Sequence, residues 1–305
     1  MASENLAGRT IAGYRLLERV GEGGTAEVYR AEHAEHGTCA FKVLRPRLRG
    51  DPTAVKRFLR EASYGARVRH SAVVCTYDYG EADGLYYLAL EWAGGQSLAD
   101  FLHQSGPVAP ATAAAIVSQL AAGLGAAHQV GIIHRDLKPE NIIYDARTGV
   151  TKLLDFGIAR DAELPPEERL TRTGFFVGTL QYVAPEALSG ELVDARADIY
   201  SLATIAYYML TGRHPFTGRN PRELFQQLLK EAPLPLNEAL PGRRFPAALE
   251  AAVMRGLHRD PAQRQSSVTG FAEEVAAAVS GTTSTEPAES SLLGTIRRFM
   301  GGKKE

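Results

Sequence analysis

The sequence predicts an α+β fold in two unequal lobes, and three features of the chain predict it. From Tyr14 to about Glu91 the pattern is mainly short strands with one helix among them. Ala93-Gly94-Gly95 then breaks the pattern, and the chain beyond it is predominantly helical to about Ser280. A small β-rich lobe joined by a short glycine segment to a larger helical lobe implies a cleft between the two, a common place for a ligand site.

The strands are expected at 14–20, 26–31, 38–44, 73–79 and 86–91. The helix starts at Asp51-Pro52, an N-cap followed by proline at the first helical position, where its missing N–H has no partner to lose. Val55, Phe58, Leu59, Ala62 and Ala66 then recur at helical spacing and form one apolar face, which His70-Ser71 closes. Two later stretches are apolar enough to resemble membrane spans. Residues 111–133 are mainly Ala and Gly and hold Ser118, Gln119 and His128, whereas 199–210 falls short of the ~20 residues a span requires. Both read as helices buried in the larger lobe. The expected division is a flexible terminus at 1–9, the small lobe at 10–93, the large lobe at 94–279, and a disordered linker with a short tail at 280–305.

With 45% hydrophobic and 23% charged residues among 305, the composition is that of a soluble globular protein with room for a sizeable core. The net charge of −1 supplies no field for nucleic acid. Two cysteines, Cys39 and Cys75, make no disulfide framework, and Met1-Ala2-Ser3-Glu4-Asn5 has no apolar leader, so a cytoplasmic location is expected. Cys39 reads as a small buried hydrophobe.

Four segments carry chemistry. In Gly21-Glu22-Gly23-Gly24-Thr25-Ala26-Glu27-Val28 the glycines allow close backbone approach to phosphate oxygens, although a plain surface turn would look the same. A dinucleotide site would need a helix next; Val28-Tyr29-Arg30-Ala31 continues as a strand, so the glycines form a hairpin tip. Lys42 sits in the apolar strand Cys39-Ala40-Phe41-Lys42-Val43, either as an edge lysine facing water or paired with Glu61, nineteen residues on and beside the apolar face of the helix. In His134-Arg135-Asp136-Leu137-Lys138-Pro139-Glu140-Asn141, polar residues crowd between two apolar runs. Phosphoryl transfer needs a carboxylate to orient the attacking hydroxyl, a cation against developing charge, and an oxygen for a metal, which Asp136, Lys138 and Asn141 offer. Nineteen residues after Asp136 comes Asp155-Phe156-Gly157, where Asp155 can ligate Mg²⁺ through hard oxygens.

This set, with Ala184-Pro185-Glu186, resembles the protein-kinase superfamily in order and spacing, and most of all the bacterial branch of eukaryotic-like serine/threonine kinases. The resemblance spans roughly residues 10–279 and implies the two-lobed protein kinase fold. It implies a phosphotransferase that moves the ATP γ-phosphate to serine or threonine hydroxyls of proteins, with Mg²⁺, or Mn²⁺ in its place, as the metal. In that light Gly21, Gly23, Val28, Lys42, Glu61, and the hinge backbone at Glu91 and Ala93 would bind ATP. Asp136, Lys138, Asn141 and Thr179 would be catalytic, and Asn141 and Asp155 would hold the metal. His134, Phe156, Gly157, Asp198 beneath the catalytic loop, and Arg264 paired with Glu186 would be structural. Leu90 falls at the gatekeeper. Ala26 stands where the family's third loop glycine lies, a change of one methyl. Lys138 and Thr179 favour a short aliphatic hydroxyl over a phenol.

Arg135, a fork-shaped phosphate receptor, suggests activation by phosphorylation at Thr171 or Thr173, which are otherwise plain loop residues. The resemblance leaves room for self-association in trans-autophosphorylation. A pseudokinase scaffold would lose Lys42, Asp136 or Asp155, and an antibiotic phosphotransferase would lack Ala184-Pro185-Glu186; none of these is missing. In the tail, Leu292, Leu293, Ile296, Phe299 and Met300 fall at helical spacing among Arg297, Arg298, Lys303 and Lys304. That pattern suits docking on an anionic membrane or a partner, or simply a disordered tail or one packed back on its own lobe.

Overall fold

The structure is a computed structural model that describes residues 5–154, 180–189 and 193–281. The small lobe is a curled antiparallel sheet in the order β1-β2-β3-β4-β6-β5. Its strands are β1 Thr10–Ile11, β2 Tyr14–Glu22, β3 Ala26–His33, β4 Gly37–Leu44, β5 Thr76–Ala82 and β6 Leu85–Glu91. Both faces are apolar because alternate residues of β4 serve different clusters. Cys39, Phe41 and Val43 pack with Tyr14, Tyr29 and Tyr87 on one side. Ala40 and Leu44 pack on the other, with Phe58 and Ala62 of α1 Pro52–Gly65. The Asp51 carboxylate caps that helix by accepting from the Thr53 N–H at 2.9 Å.

Residues 5–9, expected as part of a loose terminus, are fastened instead. Leu6 is 1% exposed. The Gly8 N–H donates to the Leu16 carbonyl at 2.8 Å, and the Leu16 N–H to the Arg9 carbonyl at 2.9 Å. One apolar residue has no periodicity to reveal it, yet it joins Ile11, Tyr14, Leu16 and Tyr29 in a buried cluster of the small lobe. The strand expected at 73–79 begins only at Thr76. Val73 bridges Leu153, and the Val74 N–H donates to the Leu153 carbonyl at 2.9 Å, so this stretch bonds to the larger lobe. Apolar alternation marks a strand but not its partner.

In the large lobe, α2 Leu98–Ser105 and α3 Pro110–Gln129 come first, and later α4 Pro185–Ser189, α5 Arg196–Thr211, α6 Pro221–Lys230, α7 Leu236–Ala239, α8 Ala247–Gly256 and α9 Val268–Ser280. Helix α5 is buried on nearly every side, as its largely apolar composition requires. Helix α8 comes very close to it: a Cβ on Gly256 would stand 2.7 Å from the Ala203 Cβ. Helix α3 is long and apolar enough to cross a bilayer by length and composition alone, but Ile116, Val117, Leu120 and Leu124 lie in the core.

A three-stranded sheet of β7 Gln96–Ser97, β8 Ile142–Asp145 and β9 Val150–Leu153 interrupts the helices, against the expectation of an essentially helical lobe. Its strands are too short to show alternation. At its entrance Gly95 has φ 103°, and a Cβ there would meet the Tyr144 carbonyl oxygen at 2.3 Å, so the chain crosses β8 only as glycine.

Candidate active site

The site is built on Asp198, in the first turn of α5 and fully buried. A carboxylate in that position requires donors, and three reach it. Oδ2 accepts from the His134 N–H at 2.9 Å and Oδ1 from the Arg135 N–H at 3.0 Å. His128 Nε2 on the last turn of α3 lies 2.7 Å from Oδ2 and donates, since an ionised carboxylate only accepts. The grip on two successive N–H groups holds Arg135 at φ 62°, a conformation costing on the order of 1–3 kcal/mol for a bulky residue.

Next to this anchor, Asp136 is held within the loop. The Asp136 N–H donates to the His134 carbonyl at 2.9 Å. Asn141 Nδ2 donates to the Asp136 carbonyl at 2.8 Å and to its Oδ2 at 3.1 Å, and Lys138 Nζ stands 3.2 Å from that same Oδ2. With Nδ2 committed to Asp136, the Asn141 Oδ1 remains as a hard oxygen donor of the kind a divalent cation takes. Asp136 and Lys138 are 17% and 18% exposed, so the cluster is sheltered yet reachable.

From the small lobe, Gly21 pairs with Val28 across β2 and β3. Lys42 lies between Val28 and Leu88 in the sheet, and its neighbours two residues away on β4, Ala40 and Leu44, both belong to the α1 side. Glu61 on α1 lines a cavity of about 20 Å³ with Gly65, Thr76, Leu88 and Leu90, which puts it over the same side of the sheet. Leu90, 7% exposed, is part of that lining. At the strand end the Glu91 N–H donates to the Cys75 carbonyl at 2.8 Å, and its carboxylate accepts from the Cys75 N–H at 3.2 Å and pairs with Lys152 of β9. The hinge is thereby tied to the large lobe. Ala93 follows, and it packs against the same apolar cluster as Leu154.

Behind the site, Arg264 and Glu186 form a two-pronged ion pair, with NH1–Oε1 at 2.7 Å and NH2–Oε2 at 2.8 Å, both side chains essentially buried. Arg264 also donates to the carbonyls of His258, Arg196 and Arg259.

A family profile described as the protein kinase domain matches residues 14–276. The chain belongs to the protein kinase family. The serine/threonine-protein kinase PknB of Mycobacterium tuberculosis is 41% identical over 256 residues, covering 82% of this chain and 40% of PknB. Serine/threonine-protein kinase pkn2 of Myxococcus xanthus is 40% identical over 277 residues, covering 90% of this chain and 33% of pkn2. This chain thus spans well under half the length of those relatives. The crystal structure of the Mycobacterium tuberculosis PknI kinase domain matches with a TM-score of 0.68 at 30% identity, covering 91% of this chain and all of that one.

Of the residues expected at the kinase site, the structure gathers His134, Arg135, Asp136, Lys138 and Asn141 on one loop over Asp198, and sets Gly21, Gly23, Val28, Lys42, Glu61, Glu91 and Ala93 in the small lobe and hinge. Asp155, Phe156, Gly157, Thr171, Thr173 and Thr179 lie outside the described residues, as do the tail at 282–305 and residues 1–4. Sequence reasoning missed His128, Lys152 and His214. His214 Nε2 lies 3.0 Å from the Tyr182 hydroxyl and its ring stacks on Tyr208, with centroids 4.6 Å apart. Burial lowers its pKa to about 4. The only signal for His128 was a titratable residue near the end of a helix made largely of small and apolar residues.

Proposed function

We propose that this chain is an ATP-dependent serine/threonine protein kinase. The observation that carries the reading is the Asp136 carboxylate, held by Asn141 and Lys138 on a loop anchored by buried Asp198. Asp136 accepts the hydrogen bond of the substrate hydroxyl, orients it, and takes its proton as the new P–O bond forms and the bond to the leaving ADP breaks. Lys138, 3.2 Å from that carboxylate, offsets charge that develops on the transferred group. Lys42, with Glu61 beside it, positions the ATP phosphates beneath the Gly21–Gly23 turn and Val28, while Glu91 and Ala93 receive adenine at the hinge. Mg²⁺, or Mn²⁺, would be held by Asn141 and Asp155, where it neutralises phosphate charge.

Thr179 is assigned to the catalytic set with Lys138, and both favour serine and threonine. His134, Phe156, Gly157, Glu186, Asp198 and Arg264 are assigned structural roles, with small and large lobes meeting at 93/94 and a separate tail from 280. Activation is assigned to autophosphorylation at Thr171 or Thr173, between copies of the chain. It is supported by Arg135, whose buried Nε has no partner among the described residues and suits a phosphate. A cytoplasmic location is supported by Cys39 and Cys75 standing free. Membrane contact is reserved for the basic tail, and nucleic acid is not assigned as a partner.

The test is transfer of label from γ-labelled ATP to a generic protein substrate, followed by phosphoamino-acid analysis. Labelled phosphoserine and phosphothreonine are expected; phosphotyrosine alone, or label on small molecules only, would overturn the assignment.

A further inference from the structure

The glycine turn is braced by two arginines that the family signature does not include. The turn closes on itself through the Gly23 N–H, which donates to the Ala26 carbonyl at 2.8 Å. Three successive carbonyls are then held by the segment that follows β4. Arg45 NH1 donates to the Gly23 carbonyl at 3.0 Å, Arg47 NH2 to the Gly24 carbonyl at 2.9 Å, and the Arg45 backbone N–H to the Thr25 carbonyl at 3.0 Å. Glu22 fixes the Arg45 guanidinium through an ion pair and is itself held by Arg19 at 3.2 Å.

Carbonyl and N–H point in opposite directions across a planar trans peptide. Holding the Gly23 and Gly24 carbonyls toward the arginines therefore aims the Gly24 and Thr25 N–H groups the other way. Those two N–H groups have no hydrogen-bond acceptor among the described residues. Successive N–H groups on a turn form a concavity suited to phosphate oxygens. Glycine here would otherwise sample many orientations, and ordering it on binding would weaken the complex.

We propose that Arg45 and Arg47 are positioning residues that pre-set the glycine turn for nucleotide phosphates; the inference rests on the reading of this chain as an ATP-dependent kinase. They act through the backbone they hold and make no contact with the nucleotide themselves. The consequence is specific to ligands that carry phosphates.

The experiment is calorimetric titration of the full chain and its Arg45→Ala/Arg47→Ala double variant with ATP and, separately, with adenosine. The expected result is an ATP dissociation constant raised about tenfold, with adenosine affinity within about twofold of wild type. KM for ATP should rise by a similar factor and kcat fall by less. Arg47→Lys, which retains one donor for the Gly24 carbonyl, should bind ATP more tightly than Arg47→Ala. Equal weakening of both ligands, which general damage to the small lobe would produce, overturns the proposal, and so does unchanged ATP affinity in the double variant. A wild-type chain that bound ATP no better than adenosine would overturn the nucleotide reading itself, and the brace with it.

Discussion

The loop at 134–141 and the glycine turn, which we assign to one bound nucleotide, are held by opposite means. The loop at 134–141 rests on Asp198, a carboxylate with 0% exposure inside the most deeply buried helix. The turn rests on Arg45 and Glu22, whose side chains are 22% and 41% exposed, nearer the surface than Asp198. A buried carboxylate with three donors leaves its loop one conformation, because releasing any donor strands charge in the core. Exposed guanidinium contacts are individually weak and break at little cost. The difference suits the two tasks proposed for them: a group that orients a hydroxyl must not drift, whereas a flap over a nucleotide must let the product leave.

The comparison breaks most severely at Asp198. Asp198→Ala strips the acceptor from His134, Arg135 and His128, and is expected to cost about 3–5 kcal/mol of unfolding free energy, read from chemical denaturation. Turnover should collapse along with it. A variant that kept both near wild type would mean that the loop is held elsewhere.

A middle-sized effect should come from His214, which backs Tyr182 near the loop. Its ordinary pKa of 6.5 falls to about 4 on burial, so the folded chain favours the neutral ring. Between those values the unfolded chain binds a proton that the folded chain does not. Stability from this residue is therefore complete above pH 6.5 and declines as the pH falls toward 4, by at most about 1.4 kcal/mol per pH unit. His214→Gln should flatten the acid limb of the stability profile; an unchanged limb would assign the acid sensitivity to other groups.

The smallest effect belongs to the turn. Glu22→Gln removes the partner of Arg19 and Arg45 at the surface, and should lower stability by less than about 1 kcal/mol, a loss that added salt mimics in the wild type. A loss as large as that of Asp198→Ala would erase the contrast between the two anchors.

Much of this was legible in the sequence where the signal is local. The capped helix from Asp51-Pro52 and the strand around Lys42 appear within a residue of their expected starts, because capping and alternation act over a few positions. The polar run His134–Asn141 stands out for the same reason, and it folds as one loop tied to Asp198. Asp198 and Arg264 were legible only through family resemblance; nothing in the period of α5 marks one acid as an anchor. His128, Lys152, His214, Arg45 and Arg47 stayed hidden because each acquires its role from a segment distant in sequence. Lys152 gives no signal of its own in the sequence, and its partner Glu91 lies sixty-one residues away. Leu6 reads as terminus until the cluster it joins exists.

The central claim, that a rigidly held Asp136 carries phosphoryl transfer, is tested most directly by one paired measurement on Asp136→Asn. The substitution keeps the shape of the side chain and removes its ability to take a proton. ATP affinity should stay within about threefold of wild type, because Asp136 faces the acceptor hydroxyl, while kcat for a protein substrate drops by at least about a hundredfold. Wild-type turnover in the Asp136→Asn protein would contradict the account.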